Sequence, residues 1–375
     1  MSNFREVNFH YINLEGSAYQ IGLQQAKIAK RTPAFKNFLS SGRGHFSTQE
    51  FSNGENLMER FCPGIIAEIQ GLADGLDVPI EDIIFFNHSY LLKGNCSHFV
   101  VDPSKTVDHQ ILVGRSYEFG DIADDLRLCN MKVDNKNRLI GSSTLLFGFN
   151  EGINEKGLVV TMSAGGIPVG LNEGMTTPIQ DGLQFWVAIR ALLECCDNVS
   201  EALDLVKEIP FAGNPNLILA DKTGNAALVE IFGTQKEIIK LDLENEKSFI
   251  HSTNHYTLNK MQTYNKPGIR NHSQVRFDQI QTFLSSKDVI DKASVKYLLS
   301  SKYPDGLCSH YYDEFFGTLR SMVFDPTSSE IDICFGSPAV NTWHKINFSS
   351  PSEIFPAKLP LEKTSPDFWK ILEKR

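Results

Sequence analysis

Apolar positions recur along this chain at two different periods, and the change from one to the other falls near residue 95. Before it, Ile65, Ile66, Ile69, Leu72, Ala73 and Leu76 follow Pro63-Gly64 at helical spacing and predict the clearest helix of the protein, stopping near Gly75. A second helix is expected from Pro79, with Glu81 and Asp82 at the positive end of its dipole, through Ile83, Ile84, Phe85 and Phe86. Residues 11–14 read as a strand, a helix carrying Tyr19, Ile21 and Gly22 follows, and residues 32–55 read as an irregular loop or flap.

After residue 95, short apolar runs at 99–101, 111–113 and 142–149 are separated by polar turns, which predicts consecutive antiparallel strands. Asn154-Glu155-Lys156-Gly157 is a turn leading into a strand at 158–162, and residues 165–177 form a glycine-rich loop that can serve as a substrate lid or as plain connection. Helices are expected at 182–196 and 200–208, then a hairpin of 217–220 with 227–231, strands at 236–241, 248–252, 318–324 and 330–335, and helices at 273–284 and 289–299. The tail from Pro351, with four prolines, is expected to run along the surface. Sheet segments bracketing helices in this order suggest two sheets between helical layers, one compact unit with an appended helical segment.

Composition narrows the function. With 41% hydrophobic residues, 26 of them Phe, the 375-residue chain can bury a large core. A formal charge of −9 and a pI near 5.6 argue against nucleic-acid binding. No early segment has the layout of a signal peptide and no run reaches the roughly 20 apolar residues of a membrane helix, so the expected location is cytoplasmic, without membrane partners. The seven cysteines include no Cys-x-x-Cys pair or metal spacing, which makes small buried hydrophobes their ordinary reading.

Cys96 stands apart by position. Gly94-Asn95-Cys96-Ser97-His98-Phe99 lies where the helical first quarter gives way to strands. A cysteine that begins a chain owns an α-amino group of pKa about 7.7–8.0, able to take the thiol proton and return it to a leaving amine without any histidine. The stretch therefore reads as a processing junction, with an inert buried cysteine as the alternative. His98, the nearest imidazole, reads as a strand residue.

Several stretches together resemble the acyl-coenzyme A:6-aminopenicillanic acid acyltransferase-like family of N-terminal nucleophile hydrolases, related to choloylglycine hydrolases. They are Gly16 to Gly22, Glu68 to Gly75, Pro79 to Ile84 and Asn87 before the junction, then Cys96-Ser97-His98-Phe99, Gly114 to Phe119, Asn154 to Leu158, the hairpin from Leu219 to Glu230, and Thr253-Asn254-His255. The resemblance implies an α+β fold, a four-layer αββα sandwich of two antiparallel sheets. It also implies self-cleavage by attack of Cys96 on the Asn95 carbonyl, with residues 1–95 a helical pro-region that becomes a small α subunit and 96–375 the catalytic β subunit. Asn95 stands where the family often has glycine or a small residue, and Glu118 where it has aspartate.

The same resemblance makes Arg115 the arginine near the thiol, Glu118 the acid that orients the α-amino group, and Asn254 the amide that donates to the oxyanion. Arg276 becomes an arginine that opens a late helix and points to the nucleophile, with Arg270 and Arg320 as competitors. Ser163 and Ala164 fall where relatives carry an oxyanion asparagine. The bland readings are an exposed Arg115–Glu118 ion pair, a turn role for Asn254 and surface positions for the arginines. No cofactor or metal is implied. The expected partner is a small-molecule N-acyl substrate, with an acyl-thioester donor and a homo-oligomer both permitted. The resulting expectation is a self-processing cysteine hydrolase or acyltransferase, made as a zymogen and acting on a linear amide. The alternatives are an unprocessed, silent protein binding an acylated molecule, and a cysteine protease with a histidine base.

Overall fold

The computed structural model describes residues 3–30, 47–83, 95–166, 181–241 and 248–372. In chain order the strands are β1 (Phe4–Gly16), β2 (Asn95–Val101), β3 (Leu112–Phe119), β4 (Arg127–Val133), β5 (Leu139–Thr144), β6 (Gly148–Asn154), β7 (Val159–Ala164), β8 (Pro215–Ala220) and β9 (Ala226–Phe232). They continue with β10 (Gln235–Lys240), β11 (Phe249–Ser252), β12 (Ile269–Arg270), β13 (His310–Tyr311), β14 (Phe316–Asp325), β15 (Glu330–Phe335), β16 (Trp343–Ile346), β17 (Glu353–Pro360) and β18 (Ile371–Leu372). The helices are α1 (Ala18–Ala29), α2 (Thr48–Phe61), α3 (Ile65–Leu76), α4 (Phe185–Cys195), α5 (Val199–Glu208), α6 (Asn271–Ser285) and α7 (Lys292–Ser300). None is long and apolar enough to cross a membrane.

Two sheets stack face to face. One has nine strands in the order β10-β9-β8-β7-β6-β5-β4-β1-β17, and the other runs β11-β2-β3-β14-β15-β16 with β13 on β14. Helices α4 and α5 cover the first sheet, α6 and α7 the second, which is the four-layer αββα arrangement. Each layer boundary is apolar: Phe99, Val101, Leu112, Ile280, Leu284 and Leu298 fill the space under α6 and α7, while a larger core lies between the sheets and under α4.

Pairing is antiparallel throughout the two large sheets except between β1 and β4, which run parallel. This strand is longer than the 11–14 expected because both of its edges are paired, with β17 on the outside in a register from Phe4↔Pro360 to Tyr11↔Glu353. The tail expected to lie along the surface thus becomes an edge strand, with alternating buried and exposed positions from Phe355 to Leu359. Its Pro356 and Pro360 are tolerated because an edge strand leaves one row of donors unused.

Three further elements differ from the hydropathy pattern. Residues 48–55, expected as loop, are the first part of a helix that runs to 61, because Ser47 and Glu50 form a reciprocal capping box that offsets a polar sequence. The run 142–149 is two strands, β5 and β6, joined at Leu145 and Leu146, both with positive φ; two leucines in a turn leave no polar signal. The helix expected from Pro79 is a 3-10 turn at Ile80–Asp82, and its remainder, with Phe85 and Phe86, lies outside the described residues, as do 31–46 of the loop and 167–180, which hold most of the glycine-rich loop.

Helices α1 and α3 cross at two glycines. A Cβ on Gly22 would sit 2.0 Å from Glu68 O, and one on Gly71 2.1 Å from Tyr19 O. Alanine gains up to about 1 kcal/mol over glycine in a helix interior, but forcing two backbones apart costs about 1–3 kcal/mol or more, so the clash wins. Gly22→Ala is expected to lower the urea midpoint with the slope unchanged, checked by equilibrium unfolding.

Candidate active site

Opposed residues of an antiparallel pair share a face. Cys96 lies opposite Tyr117 and His98 opposite Arg115, so these side chains point between the two sheets; Asn95 and Ser97, opposite Glu118 and Ser116, point to the helical layer. Strand pairing therefore arranges Cys96 and Arg115 on one side and Ser97 and Glu118 on the other. Cys96, Arg115, Glu118 and Arg276 are all essentially withdrawn from solvent.

Between the sheets, the Cys96 thiol lies beside Arg115, whose charge acts to lower its pKa. Arg115 in turn donates from Nε and Nη2 to Glu151 Oε2, at 3.0 and 2.9 Å. Glu151 Oε1 accepts from Arg320 Nε at 2.8 Å, and Arg320 reaches Asp124 at 3.2 Å while lying 4.0 Å over the Tyr117 ring. Burial opposes ionisation of Glu151, but Arg320 and Arg115 together hold its carboxyl below the usual range. Burial pushes the thiol up to about 11 despite the counteracting pull of Arg115, so in the uncut chain the sulfur is protonated at neutral pH.

On the helical side, Arg276 clamps the start of β2. Its Nη1 donates to Cys96 O and to Ser97 Oγ, both at 2.7 Å, and its Nη2 to Asn254 Oδ1 at 2.7 Å. The same Asn254 oxygen accepts the main-chain N–H of Cys96 at 3.0 Å. Two donors on one oxygen determine which way the amide faces, and its Nδ2 donates to Ala164 O at 3.2 Å. Asn254 is kept in place by its own N–H, which donates to Ser273 Oγ at 2.9 Å.

Glu118 accepts from Ser116 Oγ and from Thr318 Oγ1 through Oε1. Its Oε2 has no hydrogen-bond partner among the described residues and lies 3.7 Å from Arg276 Nη1. Burial raises its pKa, with Arg276 acting against the shift.

The five expected residues, Cys96 among them, thus come together from four elements, β2, β3, α6 and the segment after β11. Arg115 and Glu118 are neither exposed nor paired with each other. Of the competing arginines, Arg320 reaches the thiol only through Glu151 and Arg115, and Arg270 packs over Trp369, 5.6 Å from its ring centre. Ser163 Oγ donates to Thr253 O. His98 is tied through Nδ1 to Thr161 Oγ1 at 2.8 Å, and burial followed by the charge of Arg115 holds its pKa well below the ordinary value, so it stays neutral. Sequence reasoning missed Glu151 and Asp124; a lone Glu between Asn150 and Gly152 carries no signal until two neighbouring strands of the facing sheet, β3 and β14, each supply an arginine.

A model of the family described as acyl-coenzyme A:6-aminopenicillanic acid acyl-transferase matches residues 115–340. Solved structures with similar folds include penicillin V acylase from Agrobacterium tumefaciens, 18% identical, covering 74% of this chain and 100% of its own with a TM-score of 0.45. The Caenorhabditis elegans ortholog of N-acylethanolamine-hydrolyzing acid amidase is 15% identical and covers 62% of this chain and 93% of its own, with a TM-score of 0.42. A conjugated bile acid hydrolase from Clostridium perfringens is 11% identical, covering 72% of this chain and 99% of its own with a TM-score of 0.44. No curated protein sequence matches.

Proposed function

Because the chain belongs to the acyl-coenzyme A:6-aminopenicillanic acid acyl-transferase family, we propose that it is a self-processing enzyme that cleaves a linear N-acyl amide through an acyl-Cys96 thioester. One observation carries this reading: the main-chain nitrogen of buried Cys96 has a side-chain acceptor, Asn254 Oδ1, while its thiol lies against a guanidinium. An acceptor on that nitrogen would hold an α-amino group as readily as a peptide N–H.

In the processing step, Cys96 Sγ attacks the Asn95 carbonyl, the peptide C–N bond breaks and the nitrogen takes the thiol proton. Water then opens the thioester, giving the Asn95 carboxylate and returning the Cys96 thiol beside the amine that the broken C–N bond has already freed. In turnover, that amine accepts the thiol proton as sulfur attacks the substrate carbonyl, and returns it to the leaving amine. The oxyanion takes a hydrogen bond from Asn254 Nδ2, now shared with Ala164 O. Such a donor contributes about 3–4 kcal/mol in the transition state. Glu118 Oε2, open to a donor, holds the ammonium form, and water, an amine or a thiol accepts the acyl group.

The test is intact mass and N-terminal sequencing of the purified protein. A start at Cys96 is expected; a single 42.0 kDa chain beginning at Met1 or Ser2 that nevertheless hydrolyses amides would overturn the scheme. An uncut chain without activity would favour the silent binding protein, whose neutral thiol the site already contains.

Removing Arg115 removes the group that pulls the thiol pKa down. Arg115→Met is expected to lower kcat/KM at pH 7 by about 10–100-fold, since losing a neighbouring cation shifts a pKa by about 1–2 units, and to move the rising limb of the pH profile upward. A profile that keeps its position would show that Arg115 acts only structurally.

A further inference from the structure

Every N–H of the Arg276 guanidinium is taken. Besides the bonds of Nη1 to Cys96 O and Ser97 Oγ and of Nη2 to Asn254 Oδ1, its Nε donates to His272 O and its Nη2 to His272 Nδ1, both at 3.1 Å. A guanidinium only donates, so the imidazole nitrogen is the acceptor and the ring proton must sit on Nε2. Burial, followed by the charge of Arg276, holds the His272 pKa well below the ordinary value, which keeps that lone pair free. His272 lies one turn before Arg276 on α6 and supplies partners from both its main chain and its ring.

What seats the imidazole comes from a distant part of the chain. Helix α6 has no side-chain cap at its start; its first donors go to the segment 364–372, Asn271 N to Lys370 O at 2.8 Å and His272 N to Phe368 O at 3.2 Å. In the same segment, β18 pairs with β12, which leads directly into α6. The buried Phe368 ring stacks on the imidazole, with centres 4.9 Å and planes 21° apart, and Trp369 meets it edge-on at 5.1 Å. Glu314 ties the segment down, accepting from Thr364 N at 2.9 Å, Thr364 Oγ1 at 2.7 Å and Trp369 Nε1 at 3.2 Å. We propose that His272 is a positioning residue for Arg276 and that the segment 364–372 is the strap that seats it. The clamp on Cys96 and Asn254 therefore depends on residues far from both in sequence. Without the Nδ1 acceptor, one donor of a buried cation is left unpaired, and the fork can turn away from the Asn254 oxygen whose direction it helps to fix.

The inference takes its consequence for catalysis from the acyl-transfer reading, but its first test needs no turnover. In proton–nitrogen NMR spectra of the isotope-labelled full-length Cys96→Ala chain, His272 is expected as the neutral Nε2–H tautomer, its signals identified by their loss in His272→Asn. The Arg276 Nη signals are expected to be individually resolved, the mark of a guanidinium that does not rotate. Asn places its Oδ1 about where the Nδ1 stood, so His272→Asn should keep them resolved. His272→Phe, which preserves the ring stack but not the acceptor, and Phe368→Ala, which removes the stack, should merge them. The Nδ1–H tautomer, a charged imidazole at pH 7, or Nη signals that stay resolved in His272→Phe would overturn the inference; should a substitution prevent folding, as melting curves would show, the tautomer of the parent chain decides. With Cys96 restored, His272→Phe should lower kcat by about 10–100-fold with KM changed far less, and His272→Asn should stay within about threefold of wild type. Unchanged kcat and resolved signals in His272→Phe would sink this inference and leave the acyl-transfer reading standing. A wild-type chain that neither cleaves itself nor turns over amides, yet shows the expected tautomer and Nη signals, would do the reverse.

Discussion

Cys96→Ala is expected to abolish both cleavage of the chain and amide turnover, leaving an intact 42.0 kDa protein with the native fold. The loss of turnover should be at least about 10³-fold, because the sulfur and, through processing, the base are removed together. Folding should survive, because alanine is smaller and the two groups that hold this backbone, Asn254 and Arg276, bind the main-chain nitrogen and oxygen rather than the thiol. Cys96→Ser separates the two roles: a hydroxyl can still attack the Asn95 carbonyl, so slow cleavage with weak turnover is expected. Activity retained in Cys96→Ala would end the proposal, and mass spectrometry combined with an acyl-amide assay reads both outcomes.

Arg190→Met carries the largest expected effect on stability. Arg190 is buried and donates to Glu68 at 2.9 and 2.5 Å, to Glu194 at 2.8 Å and to Phe147 O at 2.7 Å. Glu194 keeps Lys136 at 2.9 Å and Glu68 keeps Gln25, but two buried carboxylates would then share one ammonium and one amide. Breaking such a pair from one side costs about 3–5 kcal/mol, a large part of the 5–15 kcal/mol that holds a typical domain together.

The sign with pH follows from the carboxyls. Glu194 has a lowered pKa, despite burial, because of Arg190 and Lys136, so its contribution is present above its unfolded value and is lost as pH falls through the folded one. Glu68 has a raised pKa from burial, with Arg190 opposing, so it favours the fold at low pH and loses that contribution as pH rises through its folded value. Without Arg190 both carboxyls move up. The deficit of Arg190→Met should therefore be greatest near pH 7 and shrink toward pH 4–5 as the acids protonate, read by urea unfolding at the two pH values. A deficit that does not change with pH would show that lost packing, not charge, is responsible.

Glu68 and Arg190 stand on opposite sides of the Asn95–Cys96 bond, as do β1 and its neighbours β4 and β17. Fragments 1–95 and 96–375 should accordingly remain together after cleavage, separating only in denaturant, and at lower urea in Arg190→Met.

Residue order by itself determined the clearest helix, most of the strands after residue 95 and, through the family resemblance, the candidate site residues. The 3.6-residue period of 65–76, the short apolar runs after residue 95 and the position of Cys96 are local patterns, and local patterns record that an element is buried. They do not record what lies across from it. That β1 runs parallel to β4, that the proline-bearing tail closes the sheet edge, that Asn254 turns its oxygen to the Cys96 nitrogen and that Glu151 joins Arg115 to Arg320 are choices between partners far apart in the chain. Only the tertiary structure decides them, because a buried charge or an unused strand edge can be satisfied by many partners, and the one it takes depends on which backbones the packed core brings within hydrogen-bond reach.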